Sequence, residues 1–354
     1  MNNKKTVMFV GSDLSPPYTT MEAKMVGQLI ASLSSNYVFK RISINVSANK
    51  QEQGNTSAVN GIQIGPMALR KMVYGVQLFT TYVRQMLNPD ISIVHFIWVG
   101  FDPLTQIMIK LAHWQKKKVI VTVLNKHSPM ARYAGADEMV FHSPYSKQEL
   151  VTQHSYLSSA HVIPPPVKQQ TFETVKPPYF VSASGPRTVE QIKIRGFYLL
   201  MDAMKLLQEQ GSDIQLQFVG RWIEGADLLE SIVKDRGLNN VSLSHDYVTD
   251  IDGIIGQSTG LIIPYVGGSI GDVPLSALES LAFGTPVITT HGFHVASEQE
   301  QPAITICDQK AETLAHTMIQ VSQQGEVADI CRGTVKMCSL TNFITSYDVM
   351  YEAL

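Results

Sequence analysis

The densest run of residues able to do chemistry is Leu261 to Thr290, LIIPYVGGSIGDVPLSALESLAFGTPVITT. Its pattern predicts a strand, a glycine-rich loop, a helix, a turn and a second strand. Gly267, Gly268 and Gly271 let backbone N–H groups approach a ligand, Asp272 is suited to capping, and Pro274 suits the first helical turn. Free amides and the positive helix end would then face one anion. The same glycines would also serve a plain tight connection between strand and helix. Glu279 lies among Ala277, Leu278, Leu281 and Ala282, where an unpaired charge is costly to bury. It either accepts two hydroxyl hydrogen bonds, as a ribose would offer, or pairs with an arginine.

Candidate cations stand further upstream. The predicted strand Tyr179 to Ser184 runs into Gly185, Pro186 and Arg187, and then Lys193, Ile194, Arg195 and Gly196 precede a helix. Arginine presents a planar fork of donors to phosphate, and a second cation a few residues on could neutralise a diphosphate; otherwise these are charges on a solvated loop. The segment Met67 to Leu87 sets Arg70, Lys71 and Arg84 beside Met72, Tyr74, Leu78, Phe79, Tyr82 and Met86, and Lys116 to Lys118 form a second basic cluster. Such a helix could rest on an anionic membrane, or pack on a sheet with its basic side in water. No metal-ligand spacing is visible; His291 and His294 read as loop residues.

The elements that must position these groups alternate along the chain, short β-rich runs with helical stripes, which predicts an α/β protein with parallel sheets. Strands are expected at Thr6 to Val10, Arg41 to Val46, Ile91 to Phe96, Val119 to Val123 and Glu138 to His142, then at Tyr179 to Ser184, Gln215 to Val219, Val241 to Ser244, Gly260 to Pro264 and Pro286 to Thr290. Met21, Met25, Leu29, Ile30 and Leu33 give one apolar helical stripe, and Phe197, Leu200, Met204 and Leu207 another. The proline-rich stretch Val162 to Phe180 marks the domain boundary. Domains are expected over 1–165 and 166–335, with a helix in 336–354 packing back toward the first, and a small-molecule cleft between the two halves.

Composition narrows the function classes. With 28 basic and 30 acidic residues the net charge is −2, so no global field gathers nucleic acid. Three cysteines, all in the last fifth, form no disulfide framework and fit a reducing cytoplasm. The N-terminal apolar run is too short for a signal peptide, and the richest apolar stretch, Ile91 to Trp114, is broken by Asp102, Pro103 and Lys110. A soluble cytoplasmic protein is expected.

Taken together these motifs resemble glycosyltransferase family 4. PPYTTMEAKMVGQLIASL is similar to that family's opening, Ile93-Val94-His95 to its strand ending in histidine, FHSPYSKQEL and VIPPPV to its approach to the second domain, and LSALESLAFGTPVI to its strongest signature. The resemblance implies a GT-B type fold, two Rossmann-like domains with parallel sheets facing a central cleft. It implies a retaining, metal-independent transfer of a hexose from a UDP- or GDP-linked sugar to a saccharide or lipid-linked acceptor, with no cofactor. Arg187 and Arg195 would bind the diphosphate, Gly268, Gly271, Val273, Pro274 and Leu275 would wrap it, and Glu279 would hold the ribose. His127 would face the donor sugar. Three positions depart from the pattern. Gly271 stands where the family places a glutamate, leaving Asp272 to serve as the carboxylate; Thr19 and Thr20 replace a glycine pair at the acceptor or phosphate loop; and Lys193 and Arg195 rival each other as the second cation. These departures motivate an alternative, a non-catalytic GT-B-like subunit that binds nucleotide or stabilises a partner transferase.

Overall fold

Strands that follow one another through a helix pair in parallel, and this chain does so twice. The computed structural model describes residues 4–12, 14, 20–45, 56–60, 67–97, 102–123, 133–153, 159–173, 179–183, 188–219, 226–244, 248, 250–267, 273–293, 303–325 and 327–354. They divide into two compact units, Met1–Pro166 with Leu340–Leu354, and Val167–Ser339.

The first unit holds β1 (Thr6–Ser12), β2 (Val38–Asn45), β3 (Thr56–Asn60), β4 (Ile91–Ile97), β5 (Lys118–Val123), β6 (Glu138–Phe141) and β7 (Ala160–Val162), with α1 (Met21–Leu33), α2 (Met67–Met86), α3 (Asp102–Trp114) and α4 (Pro144–Gln153). The sheet order is β3-β2-β1-β4-β5-β6-β7, all parallel. Alternation along the strands feeds two cores. Met8, Val10, Val94 and Phe96 meet Leu78, Tyr82 and Met86 of α2 and Met108 and Ala112 of α3. Val7, Phe9, Ile93 and Ile97 meet Met25, Leu29 and Leu33 of α1 on the opposite face. Thr20 starts α1 by accepting a hydrogen bond from the Ala23 amide at 3.2 Å.

The second unit holds β8 (Tyr179–Ala183), β9 (Gln215–Val219), β10 (Val241–Ser244), β11 (Gly260–Ile263), β12 (Val287–Thr289) and β13 (Ile304–Ile306). Its helices are α5 (Val189–Ile194), α6 (Phe197–Glu209), α7 (Ala226–Asp235), α8 (Ile251–Gly256), α9 (Leu275–Phe283), α10 (Ala311–Ser322) and α11 (Ala328–Thr334). The parallel order is β10-β9-β8-β11-β12-β13. Phe180, Ile262 and Ile288 face α6 and α10, while Val181, Leu261 and Val287 face α9 and α11. Two predicted strand ends are corrected: β11 stops before Pro264 and β12 begins after Pro286, because proline has no N–H for a ladder. β2 begins at Val38 rather than Arg41, since Val38 to Lys40 pair with Thr6 to Met8.

The chain then returns to the first unit through α12 (Leu340–Ala353). Phe343, Tyr347 and Tyr351 enter the core on the α1 face. There His95 of β4, fully buried, is hydrogen-bonded through Nδ1 to the Tyr351 hydroxyl at 2.8 Å and through Nε2 to Thr122 Oγ1 at 2.7 Å. Thr122 Oγ1 also meets the Tyr347 hydroxyl at 3.2 Å. A second buried histidine, His142, follows β6 with neither ring nitrogen hydrogen-bonded among the described residues.

Loss of hydration pushes the His95 imidazole down to about 3 and that of His142 to about 4, the nearby Glu22 carboxylate opposing the latter. Both are therefore neutral in the fold, whereas in the unfolded chain each takes a proton near pH 6.5. Below that pH the unfolded state binds more protons, so stability present above pH 6.5 is lost as pH falls toward 4 and 3, by about 1.4 kcal/mol per pH unit for each histidine. His142→Leu removes one of the two. Denaturant unfolding between pH 6 and 4.5 should show an acid slope shallower by that amount. Stability at pH 7 should stay within about 1 kcal/mol of wild type, because an imidazole with neither nitrogen bonded supplies no hydrogen bond to lose. An unchanged slope would show that His142 titrates normally.

Candidate active site

In the second unit the strand order reverses between β8 and β11, and in such sheets ligands bind outside the carboxyl ends of the strands on either side of that reversal. A pocket lies there, lined by Ser182 and Ala183 at the end of β8, Tyr265 just beyond β11, Pro274 and Ser276 at the start of α9, and Arg195.

Arg195 is placed by the segment that follows β8. Thr188 caps α5 by accepting from the Gln191 amide, and after one and a half turns the Arg195 amide closes the helix on the carbonyls of Gln191 and Lys193. Gly196 then takes a left-handed conformation with φ of 69° and starts α6. It lies so close to the segment after β11 that an added Cβ would stand 1.5 Å from the Pro264 carbonyl oxygen. The amide of Val266 donates to the Ile194 carbonyl at 2.9 Å, and Thr290 Oγ1 donates to the Tyr265 carbonyl at 2.5 Å. One backbone bond and one side-chain-to-backbone bond thus hold the segment after β11 on both sides.

Helix α9 opens the pocket's other wall. The sequence placed Asp272 as the capping group and Pro274 inside the first turn. Pro274 is the N-cap, with φ of −60° and ψ of 135°, and among the described residues no side chain caps the helix; Asp272 lies outside them. The positive helix end thus meets the crevice that Arg195 lines, an arrangement suited to an anion such as a phosphate. Phe197 and Ile262 add an apolar wall.

The other predicted residues fall variously. Of the rival cations, Arg195 lines the pocket while Lys193 is exposed in the last turn of α5. Glu279 is half-buried on α9, one turn beyond the pocket wall, and both it and Arg195 already have protein partners. Val273 is buried in the core on the α9 side, so only its backbone is available to a phosphate, and Leu275 packs against the same core. Thr20 is the N-cap of α1 in the other unit. Thr19, His127, Arg187, Gly268, Gly271 and Asp272 lie outside the described residues. Ser182, Tyr265 and Ser276 escaped the sequence reading; their signal was their position at strand ends and in the first helical turn, once the strand order is known. Among the described residues no group of three His, Cys, Asp or Glu could hold a metal ion.

Residues 186–324 match the family model described as "Glycosyl transferases group 1". No curated protein matches the chain in sequence. Among solved structures, the chain is similar to a glycosyltransferase from Rickettsia africae ESF-5, at 16% identity and a TM-score of 0.68 over 99% of this chain and 98% of that one. It is similar to Anabaena Alr3699/HepE in complex with UDP, at 11% identity and 0.70 over 99% and 100%. It is also similar to the lipopolysaccharide outer core galactosyltransferase WaaB in its apo form, at 12% and 0.70 over 99% and 100%. The α/β fold is therefore of the GT-B type, and the resemblance to glycosyltransferases holds.

Proposed function

We propose that this chain is a retaining, metal-independent glycosyltransferase that moves a hexose from a nucleoside diphosphate sugar to a saccharide or lipid-linked acceptor. The observation that carries this reading is the pocket at the β8/β11 reversal, where the cation Arg195 and the start of α9, both inside the segment that matches the family model, line one crevice. When the sugar–phosphate bond breaks, negative charge grows on the departing diphosphate. A fixed cation and a helix N-terminus stabilise that charge more than the ground state. In this reading Arg187 and Arg195 hold the diphosphate, the backbone from Gly268 through Gly271 to Leu275 wraps it, and Glu279 accepts the ribose hydroxyls. Asp272 and His127 face the transferred sugar, and Thr19 and Thr20 serve the acceptor or its phosphate. A UDP-linked donor is favoured, since the similar HepE structure is a complex with UDP. The setting is the cytoplasm, where the buried free thiols of Cys307, Cys331 and Cys338 would stay reduced, with peripheral contact to a membrane through the first unit.

The test uses the purified chain alone with UDP-, GDP- and ADP-hexoses, saccharide and lipid-extract acceptors, and EDTA. Acceptor-dependent release of nucleoside diphosphate is expected, with EDTA without effect and the product's anomeric configuration matching the donor's. UDP at 100 times its dissociation constant should add about 2.7 kcal/mol of stability. Stabilisation by UDP without turnover on any acceptor would favour a nucleotide-binding subunit instead.

A further inference from the structure

One side chain of the second unit joins the ends of three adjacent strands. Past β11 the chain runs along the pocket through Pro264 and Tyr265 and reaches Gly267, which takes a left-handed conformation with φ of 66°. His291 stands just past β12 and Gln309 just past β13. These strands are neighbours in the sheet, so the three residues share its carboxyl edge. Gln309 bridges the other two: its Oε1 accepts from the Gly267 amide at 3.4 Å, and its Nε2 lies 3.0 Å from His291 Nε2. Its partners are 42 and 18 residues away in the chain, so the bridge is wholly tertiary. Both of its supports are fixed. Thr289 Oγ1 donates to the His291 carbonyl at 2.9 Å and accepts from the His291 amide at 3.2 Å, and the Lys310 amide donates to the Asp308 carbonyl at 2.8 Å across Gln309.

The chemistry of this bridge admits one arrangement. A backbone N–H can only donate, so it fixes Oε1 of Gln309 on Gly267 and turns the side-chain nitrogen toward His291. That nitrogen also only donates. The ring Nε2 must therefore offer its lone pair, which leaves the proton of the neutral imidazole on Nδ1. The Gly267 amide is one of those the glycine-rich run offers to an anion, yet in the fold an uncharged oxygen takes it. Its part changes accordingly, from ligand contact to anchor. The same short segment is held by the Val266 amide on the Ile194 carbonyl and by Thr290 Oγ1 on the Tyr265 carbonyl. Gln309 adds a tie at the point where the chain leaves the pocket wall.

We propose that Gln309 is a positioning residue of this pocket: braced by His291 in its Nδ1–H form, it holds Gly267, and with it the Tyr265 wall, in the place a nucleoside diphosphate requires. Backbone fixed before binding spares conformational entropy that the ligand would otherwise have to offset. Gln309 acts without touching the donor. Its loss removes a benefit that ground state and transition state share, so donor affinity falls while the rate at saturation holds. His291 works through Gln309 alone, by accepting from its side-chain nitrogen. The consequence for the donor rests on the proposed function, whereas the bridge rests on its own geometry.

The test joins NMR of the full chain, with isotope-labelled histidine and glycine, to calorimetry with UDP, GDP and ADP. At about pH 8, above the ordinary imidazole range, the His291 signals, assigned by their absence from His291→Ala, should show the proton on Nδ1. The Gly267 amide should exchange with solvent about two- to tenfold faster in Gln309→Ala than in wild type. Gln309→Glu keeps one oxygen for Gly267 and turns the other on His291, so Gly267 should stay protected while the ring proton moves to Nε2. Affinity for the nucleoside diphosphate that wild type binds should fall about two- to tenfold in Gln309→Ala. Its kcat at saturating donor should stay within about twofold and its melting temperature within about 2 °C, which a merely structural contact would not combine with lost affinity. The double variant Gln309→Ala with His291→Ala should bind no more weakly than Gln309→Ala alone. Unchanged affinity in Gln309→Ala, or a wild-type ring proton on Nε2, overturns the proposal. So does a loss in the double variant equal to the sum of the two, which would give His291 a part of its own. No binding of any of the three nucleotides by wild type, with Gly267 protected and Nδ1 protonated, would overturn the nucleotide-sugar reading and leave the bridge standing.

Discussion

Arg195→Ala is expected to lower kcat for sugar transfer by about 100- to 1,000-fold, the range found when one donor to a developing oxyanion is removed. The side chain lines the pocket at the β8/β11 reversal, and its backbone is fixed by two carbonyls of α5. In the proposed reaction its charge would act chiefly as the diphosphate departs, and donor affinity should therefore fall less than turnover. Arg195→Lys should recover part of the rate, because an ammonium restores charge but not the planar fork. Lys193→Ala is the matched control. That lysine is exposed, its field is screened by solvent, and its loss should change kcat by less than about threefold. Steady-state kinetics on the three variants, with circular dichroism to confirm folding, would assign the second cation; a larger loss for Lys193→Ala would reverse the assignment.

Gly196→Ala should be among the most damaging single-methyl substitutions in the second unit. Glycine is needed here twice over, for a φ of 69° and because the new Cβ would stand 1.5 Å from the Pro264 carbonyl oxygen and 2.6 Å from its carbon. Both obstructing atoms are backbone at the end of a buried central strand, so relief requires α6 or the segment after β11 to move. A cost of about 3 kcal/mol or more follows, or roughly 6–12 °C in melting temperature for a unit of this size. The pocket would be lost with it, since that segment carries Tyr265. Gly211→Ala separates the two causes. Gly211 has the same φ of 69° but nothing within 4 Å of an added Cβ, so only the conformational penalty of about 1 kcal/mol applies. Equal losses for the two variants, measured by thermal and chemical unfolding, would show that the close approach to Pro264 is unimportant.

Much of the scaffold around these residues was legible in the amino-acid order. β4 and β5 lie within one residue of where the run of apolar side chains places them, and Phe197, Leu200, Met204 and Leu207 are all buried along α6. Such elements bury a continuous stripe or run, and burial imposes a period that survives in the sequence. Three strands were not legible, β3, β7 and β13, and each lies at an edge of its sheet. An edge strand has one hydrogen-bonded neighbour and few covered side chains; β7 and β13 contain no fully buried residue. Their residues therefore carry no apolar run, and only pairing with a formed neighbour defines them.

The candidate site divides in the same way. The strand, helix and strand within Leu261 to Thr290 and the presence of basic residues after β8 were determined by the sequence itself, because apolar runs, proline and arginine bring their burial, backbone preference and charge to any fold. That Arg195 rather than Lys193 lines the crevice, that Pro274 stands at the N-cap of α9, and that Ser182 and Tyr265 share the crevice wall were decided by tertiary structure. So was the neutral state of His95, which depends on Tyr351, 256 residues away, closing over it. Contacts of that kind depend on strand order and on the return of α12 to the first sheet. Local residue preferences cannot encode them, since they arise only when segments far apart in the chain exclude water from the same space.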